Sequence, residues 1–322
     1  LLGNGLMSGL AFLAALVMAA DQLPPPPPPP PAPPKPGYHL VPAVDVVAKS
    51  AVQVVNGKEV RPSEWTSLFL MRTPDGKPHC TATLIGPRVI LTAAHCVDRK
   101  GAIPIVLRLH ISSYRLPVQC TISPDYLAAD FVPNGPRNAA DYALCLVSTD
   151  VPTLTGRAID PDPIDTEPLQ MPAPPDWIRP PVLLVGFGCV RPKTSATPAV
   201  GTGDALTAGD AVVTATVAGD QRYTGMLMVR GSGASVAGLC PGDSGGPLLA
   251  GASLADQQGS RRIVAVNSMV RRYDDWAGNP YESRFASLAH PAFTQFLERW
   301  QADHEQPVIC RRNPKPGAMS CS

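Results

Sequence analysis

The sequence predicts an all-β protein, a barrel or a sandwich, ended by one helix. Three observations carry this. Short apolar runs of strand length, several rich in β-branched residues, recur from about Val54 onward. Turns rich in Gly, Pro and Asp separate them. Apolar residues fall convincingly at helical spacing only late, where Phe293, Phe296, Leu297 and Trp300 follow Pro291.

The chain begins outside that pattern. Residues 6–20 form an apolar run interrupted only by Ser8 and Gly9. The run falls short of the roughly 20 apolar residues that a membrane span needs, and it ends in the small residues Ala19 and Ala20. Residues 1–20 are therefore expected to be an export signal. An uncleaved anchor is the alternative, since no Lys or Arg precedes the run. Residues 24–31 are all proline, with Pro33, Pro34 and Pro36 behind them. Polyproline forms an extended helix without internal hydrogen bonds, so it stays out of a packed core. Residues 21–53 are expected to be a Pro-rich linker or propeptide, read as a stiff spacer in preference to a docking site for a proline-binding module.

From residue 54 to residue 304 the strand-length runs are 67–72, 83–85, 89–92, 105–109, 142–147, 182–185, 212–217, 226–229 and 263–266. The helix follows, and residues 305–322 form a polar, Pro-rich tail ending in Cys310 and Cys321. No internal repeat is visible at a period of 20–50 residues.

The 322 residues carry a formal net charge of +1. A phosphate-binding protein needs a concentrated basic face, so nucleic acid is not an expected partner. The doublets Arg261-Arg262, Arg271-Arg272 and Arg311-Arg312 are scattered and read as solvated surface charge. Behind an export signal, the eight cysteines favour disulfides over metal ligation. No Cys-x-x-Cys pair and no zinc-like His cluster occurs. No metal and no cofactor is expected.

The chemistry concentrates in two segments. In Cys240-Pro241-Gly242-Asp243-Ser244-Gly245-Gly246-Pro247, the glycines open backbone conformations closed to other residues. Such a turn frees the N–H groups of Gly242 and Ser244 to converge on one oxyanion, while Ser244 awaits a base to take its proton. A plain Gly-rich turn between strands is the alternative for this segment alone. In Leu91-Thr92-Ala93-Ala94-His95-Cys96, a histidine follows an apolar strand beside a cysteine that can pin it. Taken singly, a histidine is more often a surface or satisfied core residue.

Together these segments resemble the histidine and serine signatures of the chymotrypsin/trypsin family of serine proteases. Cys80-Thr81-Ala82-Thr83-Leu84-Ile85-Gly86 resembles the strand before the histidine, in the form common in bacterial members. Asn138-Ala139-Ala140-Asp141-Tyr142-Ala143-Leu144 is similar to the aspartate segment, and the order His, Asp, Ser is the family's. Asp125 and Asp130 compete for that role, but neither precedes an apolar strand. The resemblance spans about residues 54–304. It implies two antiparallel six-stranded β-barrels with the active site between them, and a secreted or periplasmic serine endopeptidase. His95, Asp141 and Ser244 would be its catalytic triad, with Gly242 and Ser244 as the oxyanion hole. Ser268, in Val266-Asn267-Ser268, would hydrogen-bond Asp141 beside the substrate backbone. Polypeptides would be the substrates of a monomer without stable membrane association, with a protein inhibitor or an activating protease as further partners. The resemblance also implies the pair Cys80–Cys96. Cys120–Cys145, Cys189–Cys240 (Cys240 having no later partner before Cys310, where the family usually has one) and Cys310–Cys321 are the expected further pairs. The connectivity beyond Cys80–Cys96 is left open among the 105 arrangements that eight cysteines allow. A catalytically silent homologue is the alternative, since fold alone does not give function. An α/β-hydrolase is disfavoured because His95 precedes Ser244.

The chain departs from the family in two places. Val54-Val55-Asn56-Gly57 looks like the N-terminus that family members free by cleavage and pair with the aspartate before the serine, here Asp243. Yet Gln53 precedes it, where a basic residue is usual. In the specificity pocket, Gly238 stands where trypsins carry an aspartate, and Val270 and Ser283 fall near wall positions. A valine there favours small substrate side chains. An alternative register places Glu282 in the pocket and restores a preference for basic residues.

Overall fold

β-Branched and apolar side chains favour extended backbone, and each such run buries its apolar face only by pairing with neighbours. A computed structural model shows how the runs pair. The structure describes residues 39–42, 57–73, 75–97, 104–107, 116–128, 139–152, 159–169, 180–188, 205–216, 225–231, 236–257, 259–272, 281–312 and 319–322. The expected export signal and proline run lie outside these residues.

The first barrel is closed. It contains β1 (His39–Pro42), β3 (Leu68–Arg72), β4 (Pro78–Gly86), β5 (Val89–Thr92), β6 (Pro104–Leu107), β7 (Leu116–Ile122) and β8 (Ala143–Val147), in the order β1-β3-β4-β5-β8-β7-β6. The second contains β2 (Lys58–Glu59), β9 (Pro181–Gly186), β10 (Thr207–Val212), β11 (Ala215–Thr216), β12 (Met226–Gly231), β13 (Pro247–Ala250), β14 (Arg262–Arg272) and β15 (Tyr281–Ser287). Its order is β11-β12-β15-β14-β13-β9-β10-β2, six longer strands flanked by the two-residue β2 and β11. The expected two-barrel, mostly β architecture is what the chain adopts, and β1 adds a strand to the first barrel.

Several strands escape the apolar pattern. β13 is four residues long and runs straight out of the serine turn. β15 carries Glu282 and Arg284, both buried, so its polar composition conceals a core strand. The run at 212–217 straddles the end of β10 and the short β11 instead of forming one strand.

The helices that bear on the site are α1 (Pro124–Ala128) and α2 (Pro291–Asp303). Pro291 opens α2, where a missing N–H is harmless, and the His290 side chain accepts from Ala292 N–H. Phe293, Phe296, Leu297 and Trp300 form its buried face. Tyr142 meets Phe293 edge-on at 5.0 Å and stacks with Phe296 at 5.8 Å, while Trp300 Nε1 donates to Thr121. The helix thus clamps the first barrel beside Asp141.

The chain after α2 packs back. β16 (Cys310–Arg312) and β17 (Met319–Cys321) form a disulfide-linked hairpin. Ile309 is buried, and Arg312 joins Arg262 on the Asp165 carboxylate. Gly86 lies so close that a Cβ there would stand 2.0 Å from the Val308 carbonyl oxygen.

Candidate active site

His95 sits in a short 3-10 turn (Ala94–Cys96) directly after β5, and the Cys80–Cys96 disulfide ties that turn to β4. Its ring is partly open to solvent, with the side chain 34% exposed. Asp141 lies just ahead of β8 and is 2% exposed. A buried carboxylate must be met by donors, and three converge here. His95 backbone N–H donates to Oδ1 at 3.0 Å, His95 Nδ1 lies 2.7 Å from Oδ2, and Ser268 Oγ donates to Oδ2 at 2.6 Å. Ser268 reaches inward where a β-bulge shifts the β14–β15 register between Asn267 and Met269.

A carboxylate at Nδ1 holds the proton on that nitrogen and leaves Nε2 as the basic atom. Burial alone would push His95 down, but the Asp141 charge and hydrogen bond outweigh it and hold the ring above its ordinary value of 6.5. Asp125 is an exposed residue of α1, and Asp130 lies outside the described residues.

The serine turn is anchored to the same strands. Gly242 and Gly245 have φ of +105° and +81°, open to glycine and strained for other residues. Asp243 N–H donates to Cys240, Gly245 N–H to Asn267 and Gly246 N–H to Asp243. The N–H groups of Gly242 and Ser244 have no acceptor among the described residues. Gly245 is held against the histidine strand, where an added Cβ would meet Thr92 Oγ1 at 2.2 Å and Ala93 N at 3.0 Å.

Two residues that sequence reasoning passed over do the stitching. Thr81 N–H donates to the Ser244 carbonyl, its Oγ1 donates to the Gly242 carbonyl and that same oxygen accepts from Phe187 N–H. Asn267 Nδ2 donates to the carbonyls of Val185 and Asp243. Neither has a local sequence signature, because Thr81 and Gly242 are 161 residues apart.

Asp243 is fully buried. Gly188 N–H donates to Oδ1 at 2.7 Å and Cys240 N–H to Oδ2 at 2.8 Å, and no cation pairs with it among the described residues. Burial pushes its carboxyl up to about 8, with the two backbone hydrogen bonds pulling the other way. The glycines at 186 and 188 leave room for it, since a Cβ at either would fall 2.4 Å from its carboxyl atoms.

Val270 and Ser283 are cross-strand partners on β14 and β15, and Ser283 Oγ accepts from Leu239 N–H beside the buried Gly238. Glu282, the alternative pocket residue, points the other way along β15. It is 1% exposed and paired with Arg230 and Arg284, so its charge is already matched.

The structure joins Cys80 to Cys96, Cys120 to Cys145 and Cys310 to Cys321. Cys240 is also disulfide-bonded, and Cys189 lies outside the described residues. Cys80, His95 and Cys96 cluster closely enough to suggest a metal site. Both sulfurs are spent in one disulfide and offer no thiolate.

Comparison with known proteins finds relatives for the chain and a fold likeness. Brachyurin of Leptuca pugilator is 29% identical over 206 residues, covering 61% of this chain and 80% of that protein. Snake venom serine proteinase 14 of Crotalus adamanteus is 28% identical over 212 residues, covering 65% and 77%. The solved structure of neuropsin, a serine protease expressed in the limbic system of mouse brain, superposes with a TM-score of 0.54 at 17% identity. It covers 77% of this chain and 99% of neuropsin, a likeness of fold. These relatives are animal proteins, so the expected bacterial form finds no support. The family model described as Trypsin matches residues 54–280, most of the chain, and the chain belongs to the trypsin family of serine proteases.

Proposed function

We propose that the chain is a secreted serine endopeptidase, with His95, Asp141 and Ser244 as its catalytic residues. The observation that carries this is the buried Asp141 carboxylate, bonded at once to the His95 ring, the His95 backbone and Ser268. Ser244 Oγ attacks the substrate carbonyl carbon as its proton passes to His95 Nε2. The resulting oxyanion accepts from the Gly242 and Ser244 N–H groups. The imidazolium, stabilised by Asp141, then protonates the leaving amine. A water that gives its proton to the same ring attacks the acyl carbon, and the ring passes that proton to the departing Ser244 Oγ.

The pocket reading is that Gly238, Val270 and Ser283 offer small side chains a site without a free charge. Glu282 is already matched by two arginines. Secretion is supported by the export-signal pattern of residues 1–20 and by the disulfides, which persist in oxidising compartments. Among the described residues no helix is long and apolar enough to cross a membrane. The proposed layout is a signal at 1–20, a Pro-rich propeptide at 21–53, the protease domain at 54–304 and the tail at 305–322.

Peptidyl phosphonates with valine or lysine at the cleavage position test chemistry and pocket together. Ser244 is expected to be labelled by the valine compound at least about tenfold faster, one pocket contact being worth about 1–3 kcal/mol. The labelling rate should rise through a titration above 6.5, because His95 must lose its second proton and its folded value is raised. Faster labelling by the lysine compound would sink the pocket reading. No labelling of Ser244 by either would favour the silent homologue.

Activation fits the Asp243 environment. A cut after Gln53 would free the Val54 amine to pair with the buried Asp243 and order the oxyanion turn. In the uncut chain Asp243 retains its proton up to about 8 when folded and loses it near 4 when unfolded. The folded state therefore binds the extra proton in that window, and stability falls as pH rises from about 4 to about 8. Asp243→Asn is expected to flatten that part of the slope, read from urea midpoints at pH 5 and pH 8. Equal slopes in both proteins would remove the basis for an unpaired Asp243.

A further inference from the structure

β1 precedes the proposed cut at Gln53 and yet is part of the barrel. His39, Leu40, Val41 and Pro42 pair antiparallel with Arg72, Met71, Leu70 and Phe69 of β3. On its other side, His39 and Leu40 pair parallel with Val106 and Leu107 of β6. Among the described residues β3 and β6 do not pair with each other, so β1 is the strand that closes the barrel. Leu40 is fully buried in the same core as Leu70 and Met71. Residues 1–53 contain no cysteine, so the pairing of β1 rather than a disulfide from these residues would hold a cleaved N-terminal piece.

We infer that, after cleavage at Gln53, the N-terminal piece stays bound through β1 as a strand of the first barrel, making the mature enzyme a noncovalent two-chain protein. Departure of the piece would strip pairing from β3 on one side and β6 on the other. It would also leave the space filled by Leu40 empty. Unpaired strand edges and a vacated apolar site both oppose release. Strand addition of this kind draws its affinity from main-chain hydrogen bonds and its specificity from alternate side chains. The bound piece would carry the proline run of residues 24–31 with it.

The inference rests on the activation reading for its biological setting, and its test does not depend on natural processing. A recognition sequence for a site-specific protease is inserted between Gln53 and Val54 in the full chain carrying Ser244→Ala, which prevents self-digestion. After complete cutting, size exclusion and native mass spectrometry are expected to find the N-terminal fragment with residues 54–322, separating only in denaturant. Leu40→Ala should weaken retention by about tenfold or more, as truncation of a buried leucine does. A synthetic peptide of residues 36–45 should displace the fragment in competition. A fragment that elutes alone overturns the inference, whether or not residues 54–322 keep their fold, and so does retention unchanged by Leu40→Ala. Absence of natural cleavage at Gln53 would count against the activation reading alone.

Discussion

Ser244→Ala is expected to lower turnover on a peptide substrate by about a million-fold while leaving the fold intact. The side chain lost is the one proposed to form the acyl-enzyme. The anchoring of the turn does not use the Ser244 hydroxyl, since Thr81 N–H bonds its backbone carbonyl. Thermal unfolding of the variant should therefore match the parent within a few degrees. His95→Ala should cost about as much in turnover, and the double variant little more, because nucleophile and base act as a unit. Turnover by Ser244→Ala within tenfold of the parent would end the assignment of this serine.

Asp141→Asn is expected to cost about ten-thousand-fold in turnover at neutral pH. Asp141 accepts from three donors and gives none, an arrangement that only a carboxylate satisfies at that position. An amide must present its NH2 to at least one of those donors. If it faces His95 Nδ1, the ring takes the opposite tautomer, with its proton on Nε2, and cannot receive the serine proton. The loss should fall on kcat, with KM nearly unchanged, because Asp141 is buried away from substrate. Ser268→Ala removes one donor and leaves the tautomer intact, so its effect should be far smaller. Comparable losses in the two variants would show that Asp141 acts through packing rather than through the ring.

The histidine and serine segments were legible because their chemistry needs local features. A glycine at positive φ beside the serine, and a cysteine next to the histidine, are visible within a few residues. The strand pattern was legible at β5 and β9, where burial selects apolar side chains. It failed at β15, where the buried Glu282 is matched by Arg230 and Arg284 instead of being excluded. It failed as well at β1, a four-residue strand beyond a proline-rich stretch with no flanking pattern of its own.

From the sequence alone came the β class, the late helix, the histidine and serine segments and the disulfide-rich character, all set by side-chain type and short-range spacing. The tertiary structure alone decided which donors surround Asp141, how Thr81 and Asn267 lock the serine turn, and which way Glu282 faces. It also decided that residues 39–42 close a barrel. These are contacts between residues remote in sequence, such as Ser268 and Asp141, 127 positions apart. Their geometry depends on barrel closure and strand register, which no local run of side chains encodes.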